Sequence, residues 1–409
     1  MDKTPKSLRL HIALFGRTNV GKSSFLNMVA GQDVAITSPQ PGTTTDAVEK
    51  NMELLPIGPV VFIDTAGFED MTALGEARVK RSLKVFDRAD VVLVLCEAGV
   101  CAETEKNIFA EAKKRGIPAI AAVTKCDISE PDEAFISQLK KAGAAEVISV
   151  SCKDSGQREK NLSRLKQALI QVLPDDFVVP PPLLGDLLPQ RGLVILIVPI
   201  DIEAPKGRLI MPQVQTIRDA LDRDAMVLMV KTDEYPQALT LLNRNPDLVV
   251  CDSQVVHHMV KNTPAEVPCT TFSILFSRLK GDMPLLAAGT RAIGSLKDYD
   301  KVLIAEACSH HATDDDIGRV KIPRLLKACT GADLDISFAA GRDYPENLSE
   351  YKLIVHCGGC MLNRREILSR LQTASAAGVP VTNYGMCISY TQGVLERVLS
   401  PFASELENL

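Results

Sequence analysis

Gly16-Arg17-Thr18-Asn19-Val20-Gly21-Lys22-Ser23 fits G-x-x-x-x-G-K-S, a spacing that wraps a chain of phosphates. Its glycines let backbone N–H groups close around the phosphates, and the helix that follows turns its positive end toward them. Lys22 then reaches the β- and γ-phosphates and the Ser23 hydroxyl takes one magnesium position, with Ser24 next along the same helix. Gly42-Thr43-Thr44-Thr45-Asp46 lies in a Pro- and Gly-rich loop where a switch segment belongs, and Thr44 is the candidate for the second magnesium hydroxyl. In Asp64-Thr65-Ala66-Gly67, Asp64 holds magnesium through water and the Gly67 N–H senses the γ-phosphate. Thr124-Lys125-Cys126-Asp127 offers a carboxylate, Asp127, to guanine N1 and its exocyclic amine, with the Lys125 stem against the ring. Adenine has the opposite hydrogen-bond polarity on that edge, so this pattern selects GTP. Ser151-Cys152-Lys153 closes the base pocket.

A second constellation lies near the other end. Cys308-Ser309-His310 is followed, after 45 residues, by His356-Cys357-Gly358-Gly359-Cys360. Two glycines between the cysteines let the chain curl until both sulfurs face one point. Thiolates are soft donors that suit zinc or iron–sulfur clusters. Zinc would take Cys308, Cys357, Cys360 and either His310 or His356 as a closed tetrahedral set. A cluster would use the three thiolates on three irons and leave the fourth iron a weaker ligand or none. Residue types alone do not decide between them.

The elements that must carry these groups are legible as alternating apolar and amphipathic runs. Strands expected at Leu10–Phe15, Val60–Ile63, Val91–Leu95, Ala119–Val123 and Val147–Val150 alternate with helical stretches, the pattern of a mostly parallel, doubly covered sheet. Each nucleotide motif but the switch loop falls at the end of one of these strands. Prolines 174, 180, 181, 182 and 189 mark a semi-rigid linker. A small α/β block follows, with strands at Leu193–Ile200, Met226–Val230 and Leu248–Cys251; its size implies a dimerisation module. The last block places strands at Lys301–Ala305, Asp333–Phe338, Tyr351–Val355 and Val379–Asn383, with helices around Ile317–Cys329, Arg364–Ala377 and Ile388–Leu399. Both cysteine groups therefore fall just past strand ends, on the rim where open α/β sheets bind ligands. The expected architecture is α/β in three domains: a GTPase domain over 1–173, a linker over 174–190, a dimerisation domain over 191–263 and a metal- or cluster-binding domain over 264–409.

Composition sets limits. The 409 residues are 46% hydrophobic and 24% charged with a net charge of -5, which argues against a nucleic-acid surface. The longest apolar run, Leu193–Ile200, is too short to span a bilayer, so no membrane role is expected. Eleven cysteines without a recognisable secretory signal point to reduced thiols in the cytoplasm. Cys387 and the remaining cysteines read as packing or loop residues, and Asp314-Asp315-Asp316 as the cap of the helix from Ile317.

The five nucleotide motifs resemble those of the translation-factor-related GTPases, nearer to the Era and tRNA-modifying MnmE types than to Ras. Two departures stand out: Thr124 replaces the usual Asn of the base motif, with an expected loss of nucleotide affinity, and Phe68 replaces the water-positioning Gln of Ras-like enzymes. Asn19 stands where MnmE-type GTPases hold a potassium ion, although a turn residue in a tight loop is an equal reading. Lys22 and Asn19 are thus the residues expected to act on the reaction itself, and slow, potassium-stimulated turnover is implied.

With C-x-H and H-C-x-x-C behind such a domain, the whole chain resembles the HydF family of hydrogenase-maturation GTPases. That resemblance implies a 4Fe-4S cluster on Cys308, Cys357 and Cys360, with His310 and His356 as candidates for the fourth position. It also implies a homodimeric scaffold that takes a diiron precursor from the radical-SAM maturases HydE and HydG and delivers it to apo-hydrogenase HydA. The competing reading is an RNA- or ribosome-associated GTPase with structural zinc.

Overall fold

The computed structural model describes residues 4–31, 48–65, 83–153, 155–173, 182–199, 209–307, 316–341, 344–345 and 347–406. The chain forms two compact units, Met1–Pro180 and Pro181–Leu409.

In the first unit the strands are β1 (Leu10–Gly16), β2 (Val48–Leu54), β3 (Gly58–Asp64), β4 (Val91–Glu97), β5 (Ala119–Thr124) and β6 (Glu146–Ser149). They form one sheet in the order β2-β3-β1-β4-β5-β6, parallel except where β2 runs against β3. β1, β4 and β5 are buried along their whole lengths apart from Glu97, because helices cover both faces of the sheet. Helices α1 (Lys22–Ala30) and α4 (Arg158–Val172) contribute to one apolar layer, and α2 (Glu103–Lys114) and α3 (Glu133–Ala142) to the other. β2 was not foreseen: its sequence, VEKNMEL, is mostly polar and only its last residue is buried, as suits an exposed edge.

The second unit holds two four-stranded parallel sheets. In the first, β7 (Leu193–Ile197), β8 (Met226–Val230), β9 (Leu248–Cys251) and β10 (Cys269–Thr271) follow the order β10-β9-β7-β8. Helices α5 (Met211–Asp222), α6 (Tyr235–Thr240) and α7 (Val256–Asn262) intervene. β8 is an edge strand, and Met226 at its start is solvent-exposed. Next come α8 (Phe272–Lys280) and α9 (Met283–Thr290), two helices not foreseen from sequence.

The other sheet comprises β11 (Lys301–Ala305), β12 (Asp335–Ala339), β13 (Leu353–His356) and β14 (Val381–Asn383), in the order β12-β11-β13-β14. Its helices are α10 (Ile322–Thr330), α11 (Arg364–Ala376), α12 (Tyr384–Thr391) and α13 (Leu395–Leu399). A π-helical turn, Ile317–Lys321, leads into α10, and the Asp316 carboxylate accepts from the Arg319 N–H at its start, the capping role foreseen for the acidic run. Asp314 and Asp315 lie outside the described residues. The single helix expected over Ile388–Leu399 is two, α12 and α13, separated by Gly393 in the left-handed region at φ 70°. One continuous apolar core joins both sheets of this unit, from Leu183 to Phe402. No helix among the described residues is long and apolar enough to cross a membrane.

Candidate functional site

β1 pairs with β3 on one side and β4 on the other, so strand order reverses at its C-terminal end. That is where an open α/β sheet leaves a crevice, and the G-x-x-x-x-G-K-S loop opens there. Gly16 sits at φ 153°, and a β-carbon on it would lie 2.9 Å from the Leu95 carbonyl oxygen. Only glycine lets the loop leave the strand this way. Asn19 adopts the left-handed conformation, φ 61°. The Lys22 ammonium donates to the Gly16 and Arg17 carbonyls at 2.7 and 2.8 Å, which holds it across the loop. Ser23 and Ser24 follow in the first turn of α1, and Gly21 caps that helix with φ 105°.

Asp64 ends β3. Its Oδ1 is buried without a hydrogen-bond partner, and burial pushes its carboxyl up to about 6, against the pull of Lys22 and Lys50. An orphaned buried carboxylate oxygen beside a phosphate loop fits a site for magnesium. Thr44, Gly67 and Phe68 lie outside the described residues.

Thr124 ends β5 and is 1% exposed. Its hydroxyl lies 2.7 Å from the Val20 carbonyl and 3.2 Å from that of Cys96, so the base-recognition strand is tied to the phosphate loop. The residue that departs from the usual Asn thus performs a tie between the two halves of the pocket. Lys125 follows at φ 57°, its ammonium 3.2 Å from Glu97. The Ser151 hydroxyl donates to the Asp127 carboxylate at 3.2 Å and thereby aims it. Ser151 is held in turn by buried Asn161, whose amide donates to its carbonyl at 2.8 Å. Asn161 was not singled out from sequence, where a lone Asn in a helical run carries no signal. Cys152 is half-buried, its thiol pushed up to about 11 by burial, and Lys153 is exposed.

In the last sheet β11 pairs with β12 on one side and β13 on the other, a second reversal of strand order. The two cysteine groups follow in sequence from these two neighbouring strands. The Cys357 N–H donates to the Ala305 carbonyl at 2.8 Å, and the Ala307 N–H donates to the Cys357 sulfur at 3.1 Å. Cys308 and His310 lie outside the described residues, but Ala307, next to Cys308, is bonded directly to the Cys357 sulfur. Cys357 is half-buried and Cys360 exposed. Between them Gly359 has φ 57°, and a β-carbon there would come within 2.8 Å of Ile367.

His356 is 3% exposed. Burial, with the Arg370 charge adding, drives its imidazole down to about 4, so it is neutral near pH 7. Its Nδ1 lies 2.5 Å from the Cys357 carbonyl and must carry the proton, since a carbonyl only accepts. The lone pair is therefore on Nε2, which is buried without a partner. The imidazole next in sequence to the Cys357 thiol thus keeps a free lone pair, but among the described residues no three His, Cys, Asp or Glu side chains are grouped closely enough to hold a metal ion, so a soft or borderline centre here would need a further ligand. Lys280 lies close by, although a lysine at the end of a helix reads from sequence as solvated. It is buried, and burial pulls its ammonium down to about 8. Cys96, Cys251, Cys269 and Cys387 are buried in the cores, as their packing role anticipates.

Residues 11–125 match the family model described as 50S ribosome-binding GTPase. Residues 183–281 match the hydrogen maturase F dimerization domain, and residues 284–401 the hydrogen maturase F tetramerization domain. These last two matches together span more than half of the chain. The chain belongs to the hydrogen maturase F family. The resemblance expected from the C-x-H and H-C-x-x-C spacing is borne out, and so is the α/β fold class with its P-loop GTPase domain. The family's name for the last domain describes assembly, where sequence pointed first to a metal.

GTPase Der of Desulfitobacterium hafniense is 36% identical over 137 residues, 32% of this chain and 31% of that protein. The tRNA modification GTPase MnmE of Dechloromonas aromatica is 40% identical over 123 residues, 29% of this chain and 27% of that protein. The chain thus spans about a third of the length of the curated relatives it matches. A crystal structure of Aquifex aeolicus Era bound to GDP.AlF4- aligns at 21% identity with a TM-score of 0.35, covering 57% of this chain and 98% of that one.

Proposed function

We propose that this hydrogen maturase F protein binds and hydrolyses GTP and serves as a scaffold and carrier in the assembly of iron-only hydrogenase. In this reading Cys308, Cys357 and Cys360 hold a 4Fe-4S cluster, with His356 or His310 at the fourth iron. The diiron precursor is its cargo, received from HydE and HydG and passed to apo-hydrogenase HydA in the cytoplasm. The observation that carries the reading is the bond from the Ala307 N–H to the Cys357 sulfur, at a strand-order reversal in the domain the family model names. It supports the two ligand groups meeting on one rim.

In the nucleotide site, magnesium would be held by Ser23, Thr44 and, through water, Asp64; bound there it neutralises charge developing on the phosphates. The chain's own residues do the rest. The phosphate loop and Lys22 fix the β- and γ-phosphates, with Gly67 as the γ-phosphate sensor. Asp127, aimed by Ser151, selects guanine, while Lys125, Cys152 and Lys153 line the base. Asn19 is the residue offered to potassium, and with Phe68 apolar, turnover is slow and cation-stimulated. Self-association through the middle domain is supported by the edge strand β8 and by exposed Leu221 and Met226, an apolar margin that a second copy would cover.

The test is in vitro maturation. Anaerobically reconstituted protein, incubated with HydE, HydG and apo-HydA, should yield active hydrogenase, and Cys308→Ala, Cys357→Ala and Cys360→Ala should each abolish the yield. Normal maturation by all three variants, or GTP hydrolysis indifferent to replacing potassium with sodium, would count against the respective parts of the proposal.

A further inference from the structure

Two buried cations lie about the His356–Cys360 segment, Lys280 against its end and Arg370 near His356, and among the described residues neither is paired with a carboxylate. Lys280, at the end of α8, is 2% exposed. Its ammonium donates to two carbonyl oxygens, Leu362 at 3.1 Å and Cys360 at 3.4 Å, and lies 5.6 Å from the Phe276 ring centroid. Arg370, in α11, is 6% exposed. Its guanidinium lies over the Tyr344 ring, 4.6 Å from the centroid, and donates from Nη2 to the Gly341 carbonyl at 3.2 Å. Its Nε and Nη1 are buried and meet no acceptor. The Tyr344 ring in turn stands edge-on to His356, with centroids 6.5 Å apart.

Other charges of this unit are handled differently. Buried Glu306 is paired with Arg319 at 3.0 Å, and Arg278 with Asp186 and Glu405. Burying a charge without a counter-ion is costly, and an arginine does not escape by losing its proton. A strut for the turn would explain Lys280 alone, through its two carbonyl bonds. It does not explain Arg370, whose unpartnered nitrogens make no strut. Two such cations along one five-residue segment are expected where an anion is to arrive.

We propose that Lys280 and Arg370 form a cationic cradle for an anionic metal centre on Cys357 and Cys360, and that their charge raises its reduction potential. The proposal rests on the cluster reading above. Three thiolates outweigh the positive charge of an oxidised 4Fe-4S core, so the centre is anionic. When it takes one electron from an external donor it becomes more so. A fixed buried cation favours the reduced form over the oxidised one, by Coulomb attraction in a medium that screens poorly.

The experiment is an anaerobic redox titration, followed by electron paramagnetic resonance, of the reconstituted full chain and of Arg370→Gln, Arg370→Lys and Lys280→Met. At the wild-type midpoint, Arg370→Gln and Lys280→Met should each raise the oxidised-to-reduced ratio about tenfold, a downward shift of about 59 mV for one electron. Arg370→Lys, which keeps the charge, should stay near wild type. Either neutral variant serves alone if the other does not fold. Neutral variants titrating at the wild-type potential would overturn the cradle, as would Arg370→Lys shifting as far as Arg370→Gln, since shape rather than charge would then be at work. Wild-type protein that assembles no cluster would instead overturn the reading on which the cradle rests.

Discussion

Replacing Asp64 by Asn should stabilise the nucleotide- and metal-free protein while weakening its response to magnesium and GTP. Burial pushes the Asp64 carboxyl from an ordinary 3.8 up to about 6. Each pKa unit is worth about 1.4 kcal/mol, so holding the charged form in the folded protein costs about 3 kcal/mol once the pH exceeds the folded value. The sign follows from proton counting. Below pH 3.8 both states are protonated and the cost is absent. Between there and about 6 the unfolded chain has lost the proton that the folded one keeps, so stability falls as pH rises. Above that it falls no further. The substituted amide carries no charge, so the gain from Asp64→Asn should approach about 3 kcal/mol at pH 8 and be about half of that at pH 5. For a unit the size of Met1–Pro180 this amounts to about 6–12 °C in the melting midpoint at pH 8. Differential scanning calorimetry of the full chain, free of nucleotide and treated with chelator, measures it. Adding magnesium and GDP should reverse the order, because wild type gains a ligand contact that the variant lacks. An Asp64→Asn variant less stable than wild type at pH 8, or a difference that does not shrink toward pH 5, would refute the reasoning.

Three further outcomes are expected. Asp127→Asn should weaken GTP binding and favour xanthosine triphosphate, whose base edge matches the amide polarity; equilibrium titration with both nucleotides reads the switch. Thr124→Val leaves the Val20 carbonyl buried without its donor, a cost of about 1–3 kcal/mol, so GDP affinity should drop about tenfold or more while Thr124→Ser stays near wild type. The double variant Leu221→Lys and Met226→Lys places charge on side chains already exposed in the single chain. It should leave the melting midpoint of dilute protein unchanged and shift the sedimentation profile toward smaller species.

What the sequence made legible was local. The phosphate loop, the Asp64 and Thr124 motifs and the strands that deliver them are contiguous patterns, and each described motif stands at the strand end foreseen for it. The adjacency of the two strands that precede the cysteine groups followed from the same logic, since β11 and β13 were both foreseen as strands. Tertiary context decided the rest. β2 is mostly polar, because only one face of an edge strand needs covering, so alternation gave little sign of it. Thr124 looked like a weakening substitution; only the nearby Val20 carbonyl turns its hydroxyl into a tie. Lys280 and Arg370 are of types that sit in water almost everywhere, so burial in a helix of mixed composition could not be read from spacing. The break between α12 and α13 depends on one glycine conformation, which periodicity does not register.

The central claim is that a GTPase domain and an iron–sulfur site share this chain, and one measurement tests it most directly. Iron, acid-labile sulfide and zinc should be assayed in the anaerobically reconstituted full chain beside Cys308→Ser, Cys357→Ser and Cys360→Ser, with GDP binding measured on every sample. About four irons and four sulfides per wild-type chain are expected, with visible absorbance, a marked loss in each variant and GDP binding retained throughout. Zinc at about one per chain without visible absorbance, or variants that keep wild-type iron and sulfide, would contradict the account.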